Sequence, residues 1–198
     1  MDFRGGRERQ RVSVFRIKKA LWPPVLGVML VFAGCAPSPH DCAARGENTL
    51  LEQVLEKCPE AVNALDRKKK TPLHTAVGAN NLEAMALLAE HGGDLDAADI
   101  TGMTPLHVAA MLGRVDAAAW LLDHGASREL ADLFGDTPLH TAAVFGQGGV
   151  ARLLVQRGAS LDGRNKDGKT PRELAVEHRH DRVRALLDRL AGAERSGV

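Results

Sequence analysis

The chain has 198 residues, with 26 Lys and Arg against 25 Asp and Glu, a formal net charge of +1. The balance is uneven: residues 1–34 hold seven basic and two acidic side chains, which leaves 19 and 23 over residues 35–198, a net of −4. A body of that charge, with no Tyr, has no electrostatic bias towards nucleic acid, and no nucleic-acid partner is expected.

The N-terminal segment reads as an address. After the basic start, Ala20 to Ala33 is uncharged and mostly apolar, and Phe32-Ala33-Gly34-Cys35 closes it, the layout of a secretory signal over residues 1–34. Fourteen uncharged residues interrupted by Pro23-Pro24 fall short of the roughly 20 that a spanning helix needs. The closing residues resemble a bacterial lipobox, with Phe32 where Leu is usual. That resemblance implies diacylglyceryl transfer to the Cys35 thiol, cleavage ahead of it and acylation of the new N-terminus. Two acyl chains on one residue suffice for stable anchoring. Ala36 after the cysteine, rather than Asp, implies the outer membrane if the bacterium is Gram-negative. Plain cleavage and a retained anchor stand as alternatives.

A Ser/Thr-Pro step then recurs every 33 residues: Ser38-Pro39, Thr71-Pro72, Thr104-Pro105, Thr137-Pro138 and Thr170-Pro171. A unit this short cannot bury its own apolar face, so a fixed period predicts stacked repeats that share one core. Thr can cap a helix N-terminus, and Pro suits the first helical turn, where its missing N–H costs nothing. Each step leads into an Ala-rich first helix (Ala76; Ala109, Ala110; Ala142, Ala143; Ala175) and then a Leu pair on a second (Leu87-Leu88, Leu121-Leu122, Leu153-Leu154, Leu186-Leu187). Gly follows at Gly92, Gly125 and Gly158, where a left-handed residue ends a helix. Leu106, Ala109, Ala110, Val115, Ala118, Leu121 and Leu122, at helical spacing, are the expected core of the second full repeat. Asp66, Asp99, Asp132 and Asn165 each stand five residues before a Thr.

Over about residues 66–196 this pattern closely resembles the ankyrin repeat. The resemblance implies an all-α repeat fold, a solenoid of helix-turn-helix units with β-turn tips. The boundaries it suggests are a signal at 1–34, a tether at 35–37 and a degenerate N-terminal capping repeat at 38–65. Full repeats follow at 66–98, 99–131 and 132–164, with a C-terminal capping repeat and tail at 165–198. Glu52 and Glu56 in the first unit, and Arg172, Glu173, Arg182, Arg184 and Asp188 in the last, suit outer faces that meet solvent. Only Ala36 and Pro37 separate Cys35 from Ser38, so the tether is short.

Cys42 and Cys58 remain once Cys35 is set aside. In an oxidising compartment a disulfide between the start of helix 1 and the end of helix 2 is expected, with two buried thiols as the alternative.

The chain offers little for chemistry. His74, His107 and His140 stand one repeat apart, further than zinc–nitrogen bonds of about 2.0–2.1 Å can bridge, so they cannot share a metal. The resemblance assigns them hydrogen bonds within and between turns. His178 and His180, two apart on a helix, face different ways, while His91 and His124 suit helix C-termini. No phosphate loop, Ser-His-Asp order or metal-spaced cysteine cluster is found, so neither a cofactor nor catalysis is expected.

Binding is the better expectation. In ankyrin repeats the turn tips and the inner face of helix 1 form a concave contact surface. Matching positions here are apolar at the centre: Ile100, Met103, Met111 and Leu112 from one repeat, Leu133, Phe134, Val144 and Phe145 from the next. Exposed apolar clusters of this kind mark partner surfaces. Arg67, Lys68 and Lys70 at one end, with Lys166, Asp167 and Lys169 at the other, supply a charged rim. The run Arg67-Lys68-Lys69-Lys70 reads first as a solvated turn, with a patch contacting an acidic partner or lipid headgroups as the alternative. The expected activity is a monomeric, membrane-tethered module for an unidentified protein partner. An inhibitor or immunity-type protein occluding an enzyme or toxin through the same groove is the alternative.

Overall fold

A computed structural model describes residues 37–195, with side chains to residue 192. The expected signal segment at 1–34, the expected acylation site Cys35 and Ala36 lie outside the described residues.

Among the described residues the chain forms ten α-helices, one short 3-10 helix and no strand, an all-helical repeat solenoid. An inner layer comprises α1 (Pro39–Arg45), α3 (Pro72–Ala79), α5 (Pro105–Leu112), α7 (Pro138–Val144) and α9 (Pro171–Glu177). An outer layer comprises α2 (Asn48–Lys57), α4 (Leu82–Glu90), α6 (Val115–Asp123), α8 (Gly148–Gln156) and α10 (Asp181–Arg195). Within each layer every helix packs on the next, and each inner helix packs on its own outer helix. The 3-10 helix, Pro59–Asn63, follows α2.

Each inner helix starts on an extended Ser or Thr with Pro in the first turn. Burial then follows the period. Leu73, Leu106 and Leu139 form one buried ladder, which stops where the last unit carries the exposed Arg172. Ala76, Ala109, Ala142 and Ala175 form a second and Leu88, Leu121, Leu154 and Leu187 a third, all buried. Alanine on the inner helices lets successive units approach closely, and leucine on the outer helices fills the space between layers. Val115 departs from its expected core role: it is the first residue of α6 and is 41% exposed. Leu122 is half-buried at the margin of the core.

The expected Cys42–Cys58 disulfide is not present; both residues are free thiols. The helices are too unequal for it. Cys42 lies three residues before the end of α1, whereas Cys58 follows all ten residues of α2. At about 1.5 Å per residue the two are offset by roughly 10 Å along the antiparallel pair, beyond the ~7 Å limit for bridging cysteines. Burial pushes the Cys42 thiol pKa up, which keeps it protonated and inert.

Candidate functional site: the face of the turns and inner helices

Between the outer helix of one repeat and the inner helix of the next, the chain makes a turn whose geometry the leading Asp or Asn sets. Asp66 Oδ1 accepts from the backbone N–H groups of Lys68 (2.7 Å) and Lys70 (2.8 Å). Asp99, Asp132 and Asn165 repeat the arrangement with Thr101 and Met103, Phe134 and Asp136, and Asp167 and Lys169. Burial alone would raise the Asp99 pKa, but hydrogen bonds from Thr101 and Met103 outweigh it and hold the carboxyl below its ordinary value. These side chains are consumed in shaping the turn.

The turns are joined edge to edge. Ile100 N–H donates to Lys68 C=O (2.9 Å), Leu133 to Thr101 (3.0 Å) and Lys166 to Phe134 (3.1 Å). The fourth turn residue has positive φ throughout: Lys69 at 58°, then Gly102, Gly135 and Gly168. At Gly102 glycine serves twice, because a Cβ there would also lie 2.8 Å from the Leu133 nitrogen. Lys69 adopts the same left-handed conformation with a side chain, at an energetic cost.

On this scaffold the expected contact residues divide. Ile100, Leu133 and Phe134 at the tips are 55%, 60% and 66% exposed, and Leu112 and Phe145 at the inner-helix ends are also exposed. Met111 is half-buried. Met103 and Val144 pack against the core, so they support the surface more than they form it. Met103 is the last turn residue, directly before the Thr104 cap.

The rim also differs from its sequence pattern. Arg67 and Lys68 are exposed, and Lys70 half-buried, with no ion pair among the described residues. At the other end, Lys166 Nζ donates to Leu133 C=O (2.8 Å) and Lys169 Nζ is paired with Glu177 (2.6 Å). Arg164 lies 3.5 Å from Glu173. The basic charge is therefore free at the first turn and compensated at the last. Sequence alone held no sign of this, because Lys169, ahead of α9, meets Glu177, the last residue of that helix.

The repeat histidines are structural. Nε2–H of His74, His107 and His140 donates to the C=O of Met103 (3.0 Å), Asp136 (2.9 Å) and Lys169 (3.1 Å), each the residue before the next Thr. A carbonyl only accepts, so Nε2 carries the proton and Nδ1 accepts from the Thr backbone N–H and hydroxyl at 2.9–3.2 Å. Burial, the largest influence, lowers the pKa of His74 and His107.

The two end units solve this junction differently. In the first, Asp41 occupies the repeat-histidine position and pairs with Ser38, while the neighbouring His40 reaches Lys70 C=O (2.8 Å). Sequence reading missed His40 because it is one residue out of register. In the last unit no further turn follows among the described residues to receive a histidine proton, and Glu173 stands there instead, closing a capping box on Thr170 (2.8 and 3.0 Å). His180 donates from Nε2 to Val144 C=O (2.9 Å), while His91 and His124 bond the C-terminal carbonyls of their own helices.

Away from this face, a depression of about 510 Å³ between α8 and α10 is lined by Gly148, Gly149, Val183 and Leu186 with Arg152, Arg182 and Arg189 around it. It presents no nucleophile or acid–base pair.

The family model described as ankyrin repeats (3 copies) matches residues 40–132 and 125–195. Members of that family are generally protein–protein interaction modules, typically without enzymatic activity. The shared turn, the capped inner helix, the Leu-bearing outer helix and this match over most of its length place the chain in the ankyrin-repeat family.

Proposed function

We propose that the protein is a membrane-tethered bacterial lipoprotein that captures a protein partner on the face made by its turn tips and inner helices. The observation that carries this reading is the exposed apolar ridge of Ile100, Leu133 and Phe134 on consecutive, hydrogen-bonded turns. The shared core is already supplied by the Ala and Leu ladders, so burying these side chains is left to a partner. Aromatic anchors inside a polar rim are where binding energy concentrates. The tether rests on the lipobox-like Phe32-Ala33-Gly34-Cys35 and on the short spacing from Cys35 to the first helix. The corresponding location is the periplasmic side of a bacterial membrane, the outer one if the bacterium is Gram-negative.

The test is affinity capture from detergent-solubilised membranes with the native chain, the Phe134→Ala/Phe145→Ala variant and Cys35→Ser. The double variant is expected to lose partner capture, by about 2 kcal/mol or more for anchors of this size, with the melting temperature unchanged. Cys35→Ser is expected to leave the membrane fraction. A double variant that unfolds, while its folded fraction binds normally, would assign the two Phe side chains to the core. A Cys35→Ser chain still in the membrane fraction would refute the lipid anchor.

A further inference from the structure

The contact face is not symmetric, and its asymmetry follows the order of the repeats. At the first turn Arg67, Lys68, Lys69 and Lys70 make no ion pair among the described residues, and Asp66 beside them has its accepting oxygen committed to backbone N–H groups. The inner-helix row beneath is small there: Gly78 and Ala79 occupy the positions that carry Met111 and Leu112 one repeat on, then Val144 and Phe145. The middle two turns are apolar at their tips. At the last turn the same rows carry Glu177 and His178, and the lysines are engaged by Glu177 and a backbone carbonyl. Along one hydrogen-bonded edge the surface thus passes from free positive charge over small inner-helix residues, through an apolar ridge, to a compensated end.

We propose that this face takes a polypeptide segment with an acidic stretch adjoining an apolar one. Its carboxylates lie over the Arg67–Lys70 turn and its apolar side chains lie among Ile100, Leu112, Phe134 and Phe145. The assignment rests on the reading of the face as the contact surface and adds the chemistry and direction of the occupant. Opposite charge at one end steers and orients the segment, while the apolar ridge holds it. A polypeptide fits better than an anionic bilayer, because the same face carries the exposed Glu173, Glu177 and Asp167, which a negative surface would repel.

The experiment uses fluorescein-labelled peptides in which a leucine–phenylalanine block is joined to a glutamate block or to a lysine block. Binding to the purified full chain is read by anisotropy, with phosphatidylglycerol vesicles as a separate arm. The glutamate peptide is expected to bind about tenfold tighter than the lysine peptide, the size expected for a few exposed charge pairs. The preference should fade as salt rises. Arg67→Gln/Lys68→Gln/Lys70→Gln is expected to abolish the preference, and Lys166→Gln/Lys169→Gln to leave it within about twofold. Equal binding of the two peptides, or none up to millimolar concentration, overturns the proposal. If Phe134→Ala/Phe145→Ala still removes peptide binding while charge has no effect, the contact face stands and its direction falls. If neither set of variants matters, both fall. Vesicle binding that needs the basic turn, without peptide selectivity, replaces the polypeptide with a membrane surface.

Discussion

Each repeat histidine does two jobs that depend on one protonation state. His74 and His107 donate from Nε2 across the repeat junction and accept at Nδ1 from the preceding Thr, so a proton on Nδ1 breaks the cap while leaving the junction bond. Burial adds to this, lowering both pKa values below the ordinary 6.5. The unfolded chain therefore binds protons more readily than the folded one. Their contribution to stability is complete above about pH 6.5 and is lost as pH falls below it. Thermal denaturation across the acid-to-neutral range should give a melting temperature that is level above about pH 7 and declines below about pH 6.5. Carboxylates held down by partners, such as Glu173 with Thr170, titrate only below about pH 4.5 and account for a separate, more acidic loss. A melting temperature unchanged between neutrality and about pH 5 would mean that these rings accept protons without cost. The Thr-Pro-Leu-His step made the histidines conspicuous in sequence. The proton position became legible only when the partner of Nε2 was known to be a carbonyl.

Among the elements, α8 shows how packing decides what a residue pattern leaves open. Its first two residues are Gly148 and Gly149, which in a helix forgo the stabilisation that Ala would give. A Cβ on Gly148 would lie 3.8 Å from Leu186 and Val183, in ordinary contact, whereas one on Gly149 would come within 3.0 Å of Val115 Cγ2. Val115 is β-branched and stiff at χ1, so it yields poorly. Gly148→Ala is therefore expected to stabilise the protein by about 0.5–1 kcal/mol, and Gly149→Ala to gain little or lose stability. Chemical denaturation of both variants, and of Gly149→Ala combined with Val115→Ala, checks this. Recovery in the double variant identifies the α6–α8 contact as the cause, and equal effects of the two alanines would contradict it. The same contact explains why Val115, apolar at a helical spacing, is not the core residue its period suggested. It fills the small space left by a glycine on the neighbouring outer helix while its other side meets solvent.

For the whole molecule, stability is a chain of interfaces between neighbours. α9 and α10 cover α7 and α8, and so keep Ala142, Ala143, Leu154 and Ala151 buried. Deleting residues 165–198 should expose that surface and lower the unfolding free energy by more than about 3 kcal/mol, with increased binding of a hydrophobic dye. An unchanged melting temperature would show that the last unit hangs on the stack without supporting it.

The linear sequence by itself determined the repeat, its 33-residue period, the capped helix starts and the leucine and alanine ladders, because these depend on local spacing that any period-matched neighbour satisfies. It also pointed to the apolar tips, since Ile100, Leu133 and Phe134 stand where the turn projects outward. What it could not determine were contacts between residues of different repeats whose side chains reach unequal distances. Those contacts decided that Met103 and Val144 support the surface, that His40, one residue out of register, reaches the junction carbonyl, and that Cys42 and Cys58 lie too far apart to bond. They also decided that Lys166 and Lys169 are engaged while Arg67 and Lys68 are free. A period fixes where a residue sits along the stack, but the charge or exposure it presents depends on what the neighbouring unit places against it.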